Sequence, residues 1–281
     1  MCYHNVFIHN DILYICFMNN YKTFCLNELT IKNHYNNFPR DNNSYLMAIH
    51  PLTNYNVYEC NEHAYVTDES NRIIIRASHT HLALKTMYDK NGYLFSMDNF
   101  FGVLFIFDDL HQLCQIYRDT VTFYVDKQRN VLAVILANDN DKKQLKTYKL
   151  IVHSYKLVKK KNELEEKKHN NKELALETIY QVDIIPVNTK YSHYGYIHDT
   201  SMDCNYQLVF ISTTDGLLVY NMYDTNFIFI NIENEDSGKK KLTIDTKNQQ
   251  LYIVLFYYIL VYSYKDYKTN GMLERVHTIT L

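Results

Sequence analysis

One local pattern recurs along this chain: a short strand-like segment ending in aspartate, then four or five polar residues, then an apolar strand-like segment. It reads LTID-TKNQQ-LYIVLF from Leu242, FYVD-KQRN-VLAVIL from Phe123, TSMD-CNYQ-LVFIST from Thr200 and TMYD-KNGY-LFSMD from Thr86. Aspartate suits such a corner because its carboxylate can accept backbone N–H groups of the turn that follows. A third apolar segment comes next in each unit: GVLFIFDD, QLKTYKL, GLLVYNM and ILVYSY. A fourth closes each unit: QLCQIY, ETIYQVDII, NFIFINI and RVHTITL. Two looser units precede these. One is VFIHN-DILYICFM-YKTFCLNEL with a fourth segment near Ile31 to Phe38, and the other is YLMAIHP, YNVYEC, HAYVT and RIIIRAS.

The first segments end near His9, Pro51, Asp89, Asp126, Asp203 and Asp245, at spacings of 42, 38, 37, 77 and 42. The long gap contains KKKNELEEKKHNNKELAL, Lys159 to Leu176, which shows no strand pattern. Read as an insertion in one unit, it leaves six units. A hidden extra unit in the same gap would make seven, but a charged stretch cannot supply four strands, so six is favoured. Gly102 and Asp215-Gly216 fall where second strands must turn into third ones. Pro39 and Pro186 fall at unit ends, where no ladder N–H is needed. A four-stranded unit repeating about every 40 residues is the signature of a β-propeller, in which ringed neighbours cover the apolar faces of each small sheet. The expected fold is all-β: residues 1–281 as a single closed propeller, with residues 159–176 a charged insertion loop in the fourth blade. The terminal RVHTITL can close the ring beside the first unit and remove two sheet edges.

At these residues the chain resembles the β-propeller superfamily over nearly its whole length. The corner aspartate before an apolar strand, as at Asp126, Asp203 and Asp245, resembles six-bladed NHL- or YWTD-type repeats more than WD repeats. The Gly-His and Trp-Asp dipeptides of WD repeats and the double glycine of kelch repeats are absent, and the chain has no Trp. The resemblance implies a rigid platform for protein partners, although some propellers are enzymes and fold alone does not fix function.

The apolar run Leu251 to Tyr262 invites a membrane reading, but it falls short of the roughly 18 residues a span needs. A strand pair around Tyr257-Tyr258 fits it better. The chain is 47% hydrophobic and 21% charged, which is globular composition. Its net charge of −2 gives no overall attraction to nucleic acid. The excess of Tyr, Ile, Asn and Lys matches AT-rich coding, as in parasites, compact eukaryotic genomes or large DNA viruses. Cys2, Cys16, Cys25, Cys60, Cys114 and Cys204 form no C-x-x-C pair and read as reduced thiols. The N-terminus lacks a basic n-region and makes a poor signal peptide. An intracellular protein, cytoplasmic or nuclear and not secreted, is expected.

The candidate chemistry is sparse. His79 and His81 stand at i and i+2 and, with His50 or His198, can be imagined holding a metal; the plainer reading is two loop histidines. The corner aspartates Asp89, Asp126, Asp203 and Asp245 repeat unit after unit, which points to a structural turn role. Asp108-Asp109 and the NDND of Asn138 to Asp141 read as solvated turns. No phosphate loop, nucleophile elbow or zinc-protease motif occurs, and no cofactor is expected. The insertion carries six Lys against four Glu. Its Lys159, Lys160, Lys161, Lys167 and Lys168 can dock a partner or, less favoured, RNA. Clustered tyrosines such as Tyr191 to Tyr196 suit a protein partner or blade packing. Two functions compete: a non-catalytic interaction platform or adaptor of a larger assembly, and a channel-using enzyme or ligand-binder with a divalent metal.

Overall fold

The structure is a computed structural model. It describes residues 5–17, 20–27, 30–35, 44–60, 63–68, 70, 72–77, 83–98, 102–108, 113–126, 128–138, 147–159, 172–184, 197–224, 226–232 and 240–281. The strands form six four-stranded antiparallel sheets, each built from consecutive strands. Blade 1 is β1 (Asn5–His9), β2 (Ile12–Phe17), β3 (Asn20–Cys25) and β4 (Thr30–Tyr35). Blade 2 is β5 (Ser44–Ile49), β6 (Asn56–Cys60), β7 (His63–Thr67) and β8 (Ile73–Ala77). Blade 3 is β9 (Ala83–Tyr88), β10 (Leu94–Asp98), β11 (Val103–Phe107) and β12 (Leu113–Tyr117). Blade 4 is β13 (Thr120–Asp126), β14 (Val131–Asn138), β15 (Thr147–Lys159) and β16 (Lys172–Ile184). Blade 5 is β17 (Ile197–Asp203), β18 (Leu208–Thr213), β19 (Gly216–Asn221) and β20 (Phe227–Asn231). Blade 6 is β21 (Lys241–Asp245), β22 (Gln250–Val254), β23 (Tyr258–Ser263) and β24 (Glu274–Thr280). Among the described residues a single short helix, α1 (Tyr267–Asn270), sits in the β23–β24 connection.

Burial falls from the first strand of a blade to the fourth, which explains the sequence pattern. β18 is buried at every position, and so reads as the apolar run LVFI followed by Ser212 and Thr213, whose buried hydroxyls are hydrogen-bonded. β20 and β24 are largely exposed and mix polar with apolar residues. The first strands pack on one another around the ring, with the strongest contacts between β13 and β17 and between β17 and β21, and β1 meets β21. At that last seam Val6, Leu13 and Ile15 of blade 1 pack with Tyr252, Val254, Ile259 and Val261 of blade 6, and Val276, Ile279 and Leu281 lie against them. Among the described residues the ring therefore closes by side-chain packing, with β24 paired to β23 and β1 to β2. The run Leu251 to Tyr262 is β22, a turn and β23, paired from Gln250↔Ser263 to Val254↔Ile259. No helix among the described residues is long and apolar enough to cross a membrane.

The charged segment is shorter than its sequence implies. β15 and β16 pair from Tyr148↔Ile184 out to Lys159↔Lys172, so Lys159 and Lys172–Leu176 belong to a ribbon rather than a loop. Leu174 is buried against the main core, and Leu176 packs beside it. Lys, Glu and Ala, all poor strand formers, masked the strand at 172–176 in the sequence; pairing with β15 supplies the backbone bonds that intrinsic propensity does not. Only residues 160–171 remain, and they lie outside the described residues.

Candidate functional site

Each first strand runs along the ring axis and ends at a corner, so residues two and four positions before the corner point the same way as the corner residue. The residues four before the corner are Asn5, Leu46, Lys85, Thr122, Asp199 and Lys241. They include a buried polar hub. Lys85 Nζ donates to Asp199 Oδ1 at 2.5 Å and to the Thr200 carbonyl at 2.8 Å. The Thr122 hydroxyl donates to the same Asp199 oxygen at 3.2 Å. The Thr200 N–H also reaches Oδ1, and the Leu242 N–H reaches Oδ2, both at 2.9 Å. One carboxylate thereby joins blades 3, 4, 5 and 6. The Lys85 ammonium also lies 5.8 Å and 5.7 Å from the ring centres of Phe123 and Tyr124. Across the ring, the Asn5 amide donates to the carbonyls of Met47 and Thr86, tying blade 1 to blades 2 and 3. Burial works to raise the Asp199 carboxyl, but the ammonium groups of Lys85 and Lys241, with the Lys85 and Leu242 hydrogen bonds, hold it below the ordinary aspartate value. Burial pulls Lys85 down while Asp199 pulls it up. Bulges at Thr120/Thr122 and Ile197/Asp199 lie where these first strands begin.

The corner residues share one geometry. Asp89 Oδ1 accepts the N–H of Asn91 and Tyr93, Asp126 those of Gln128 and Arg129, Asp203 those of Asn205 and Tyr206, and Asp245 those of Lys247 and Asn248, all between 2.7 and 3.3 Å. Four residues after three of these aspartates stands Asn130, Gln207 or Gln249 with φ of 55°, 57° or 52°, a left-handed turn conformation that Asn adopts more readily than most residues. Blade 2 uses His50 instead: its Nδ1 accepts the N–H of Leu52 and Thr53 at 3.2 Å, and Asn54, at φ 55°, stands four residues on. Gly92 of blade 3 packs against this imidazole; a Cβ there would lie 2.6 Å from His50 Nε2, and φ is +84°. Two corners are joined to the following blade. The Tyr155 hydroxyl of β15 donates to Asp89 Oδ2, and that of Tyr264, just after β23, donates to Asp203 Oδ2, each at 2.8 Å. Burial, then the neighbouring carboxylate, pushes both phenols well above their ordinary value.

Inside the corner-aspartate face the ring axis opens into a cavity of about 330 Å³. Its floor is Lys85, its walls include Phe7, Met87, Tyr124 and Thr243, and Asp126 and Asp245 stand nearer its mouth. Three exposed apolar side chains, spread over blades 2, 5 and 6, lie on this same face. Tyr223 is 84% exposed, Leu52 71% and Met272 65%. They lie in the β19–β20 turn, the His50 corner and the β23–β24 connection, all of which emerge where the first strands end.

Several residues singled out in the sequence lie elsewhere. His79, His81, Lys160, Lys161, Lys167, Lys168, Asp109 and Tyr191 to Tyr196 are outside the described residues. Lys159 ends β15, Asn138 ends β14 and Asp108 is buried. His50 is a corner residue and His198 accepts the Lys240 N–H at 3.2 Å, so neither is placed with the other. Among the described residues no three His, Cys, Asp or Glu side chains are grouped to hold a metal. The hub was missed by sequence reasoning, because Lys85 and Asp199 are far apart in the chain.

No family model matches the chain, and neither does any curated protein. Solved structures do. A chain in the crystal structure of a mitotic checkpoint complex aligns with a TM-score of 0.57 at 9% identity, over 98% of this chain and 76% of its own length. The structure of Kluyveromyces lactis Hsv2p aligns at 0.53 and 10% identity, over 94% and 75%. A second Kluyveromyces lactis Hsv2 structure aligns at 0.51 and 9% identity, over 92% and 72%. The chain is a six-bladed β-propeller. At these identities the propeller likeness establishes the fold, and the specific family stays unassigned.

Proposed function

We propose that this propeller is a non-catalytic protein-interaction platform, a subunit or adaptor of a larger assembly, acting inside the cell. The observation that carries the reading is that Tyr223, Leu52 and Met272, the three most exposed large apolar side chains among the described residues, all lie on the corner-aspartate face. Exposed aromatic and apolar anchors on a rigid surface are what protein interfaces bury. The most buried acidic groups are engaged in structure: Asp199 accepts four hydrogen bonds, and the corner carboxylates hold their turns. One of the solved structures sharing the fold is part of a mitotic checkpoint complex, which is consistent with a propeller at work inside an assembly. Buried free thiols at Cys16 and Cys204 are compatible with a reducing compartment.

The test is affinity capture from the native source with the wild type and the triple variant Leu52→Ser, Tyr223→Ser, Met272→Ser. All three side chains are exposed, so the variant should melt within a few degrees of wild type. The expected result is loss of the co-purifying proteins. Retention of the same set by a folded triple variant overturns the assignment of that face.

A further inference from the structure

A cleft between blades 5 and 6 on the corner-aspartate face has a chemistry that the interaction reading does not use. It holds about 690 Å³ between the β17–β18 turn, the β19–β20 turn and the β23–β24 connection. Its walls include Tyr206, Tyr223, Tyr267 and Ile228. Gly271 also lines it and precedes the exposed Met272. The two charged side chains of the lining are Lys268, on the Tyr206 side, and Asp224, in the β19–β20 turn. Asp224 Oδ1 accepts the Asn226 N–H at 3.1 Å.

A second observation comes from the cations beside this cleft. Arg129 of blade 4 reaches across to blade 5, where its guanidinium donates to the Asn205 side-chain oxygen and, at 3.4 Å, to the Cys204 carbonyl. Lys268 reaches the same residue from blade 6. Its Nζ donates to the Asn205 carbonyl at 3.3 Å and stands 5.0 Å from the centre of the Tyr206 ring. Two exposed cations from different blades thus converge on Asn205. Lys90 extends the arc, donating to the Gln128 carbonyl at 2.6 Å. Among the described residues none of these three cations is ion-paired with a carboxylate, in contrast to Lys85 and Lys247. A guanidinium has five N–H donors and an ammonium three, so donors remain for an incoming acceptor. Like charges held on neutral acceptors repel each other, and an anion beside both offsets that repulsion. At the other end of the cleft Asp224 opposes a second anion, and the tyrosine walls between suit an apolar side chain. A peptide that changes from acidic to apolar within a few residues matches this order, whereas a uniformly anionic surface does not.

We infer that the cleft between blades 5 and 6 docks an extended acidic segment of a protein partner, with its carboxylates on Arg129 and Lys268 and one apolar side chain among Tyr206, Tyr223 and Tyr267. The inference rests on the interaction reading and names the chemistry of the partner.

The test uses the full chain labelled at its methionine methyl groups, with the Met272 signal assigned by Met272→Leu. The probe is the peptide acetyl-Glu-Glu-Gly-Leu-Gly-amide, and its counterpart with Gln for both Glu has the same shape without the charge. The expected result is a saturable shift of the Met272 signal by the Glu peptide, with the Gln peptide weaker by about fivefold, the scale of two exposed ion pairs. The preference should shrink as salt rises from about 50 to 300 mM. Both cations are exposed, so the double variant Arg129→Gln, Lys268→Gln should melt like wild type, and it should bind the two peptides equally. An unmoved Met272 signal, equal binding of the two peptides by wild type, or a preference that survives in the double variant overturns the acidic segment. Vesicles of equimolar phosphatidylcholine and phosphatidylserine that shift Met272 when the Glu peptide does not overturn it in favour of a membrane surface. If the peptide preference fails while the triple surface variant still loses its partners, the platform stands without it. If the preference is found while the triple variant keeps its partners, the platform assignment of that face fails and the acidic-peptide site remains.

Discussion

The hydroxyl of Tyr264 in blade 6 donates to Asp203 Oδ2 in blade 5 over 2.8 Å, and both residues are buried. Asp203 Oδ1 meanwhile holds the turn at Asn205 and Tyr206. One carboxylate thus serves a local corner and an inter-blade joint. Asp245 holds the N–H groups of its own turn and the Asn248 amide, and its recorded bonds stay within blade 6. Asp203→Ala should therefore destabilise more than Asp245→Ala. The expected losses are about 2–4 kcal/mol and about 0.5–2 kcal/mol, since the first also orphans a buried hydroxyl. Urea denaturation of both variants measures the difference, and Tyr264→Phe should account for about 1–2 kcal/mol of the larger loss.

Lys85→Met should be among the most damaging single changes in the protein. It leaves Asp199, almost wholly buried, without its ammonium partner, and breaking a buried pair from one side typically costs about 3–5 kcal/mol. Adding Asp199→Asn keeps the shape and removes the stranded charge. The double variant should be more stable than Lys85→Met alone, as read by denaturant midpoint at constant slope.

Acid should find the same residue. The Asp199 carboxyl titrates below its ordinary value in the folded chain, chiefly because the Lys85 and Lys241 charges outweigh its burial. A depressed folded value means that the unfolded chain binds the proton first. The stabilisation is therefore complete above about pH 4, the unfolded aspartate range, and is lost as pH falls through the lower folded value. Melting temperature followed from pH 6 down to pH 2 should fall less steeply for the Lys85→Met, Asp199→Asn double variant than for wild type.

Much of the ring was legible because its determinants are local. An aspartate, a polar turn and a left-handed residue lie within five positions, an amide residue in blades 4 to 6 and Gly92 in blade 3, so these four corners can be read along the chain. His50 is harder to read, since imidazole replaces carboxylate, yet the four-residue spacing to Asn54 is the same as from Asp126 to Asn130. The hub was hidden because nothing local links Lys85 to Asp199. Aligning the repeats at their corners would have exposed it: a column of Lys, Thr, Asp and Lys inside otherwise apolar first strands is an energetic oddity that only mutual pairing resolves. The cavity walls were hidden for the same reason, being one residue from each of several blades. The β15–β16 ribbon failed at its tip, where KELAL carries no alternation a single strand would need.

That ribbon allows a clean deletion. Lys159 and Lys172 are directly paired across β15 and β16, so a two-residue connection can replace residues 160–171 without changing the register. Asn-Gly is the natural choice, because a type I′ turn matches the twist of paired strands. Shortening a loop gains only about 0.6 kcal/mol per halving of its length, and the buried anchors Tyr155 and Leu174 are untouched. The variant should melt at or slightly above the wild-type temperature and keep its strand-dominated circular dichroism. If the replaced lysines serve as a docking arm, co-purifying proteins will be lost from this folded variant while the Leu52, Tyr223 and Met272 surface is intact. If the variant unfolds, residues 160–171 contribute to the core of the fourth blade, and reading them as an insertion is wrong.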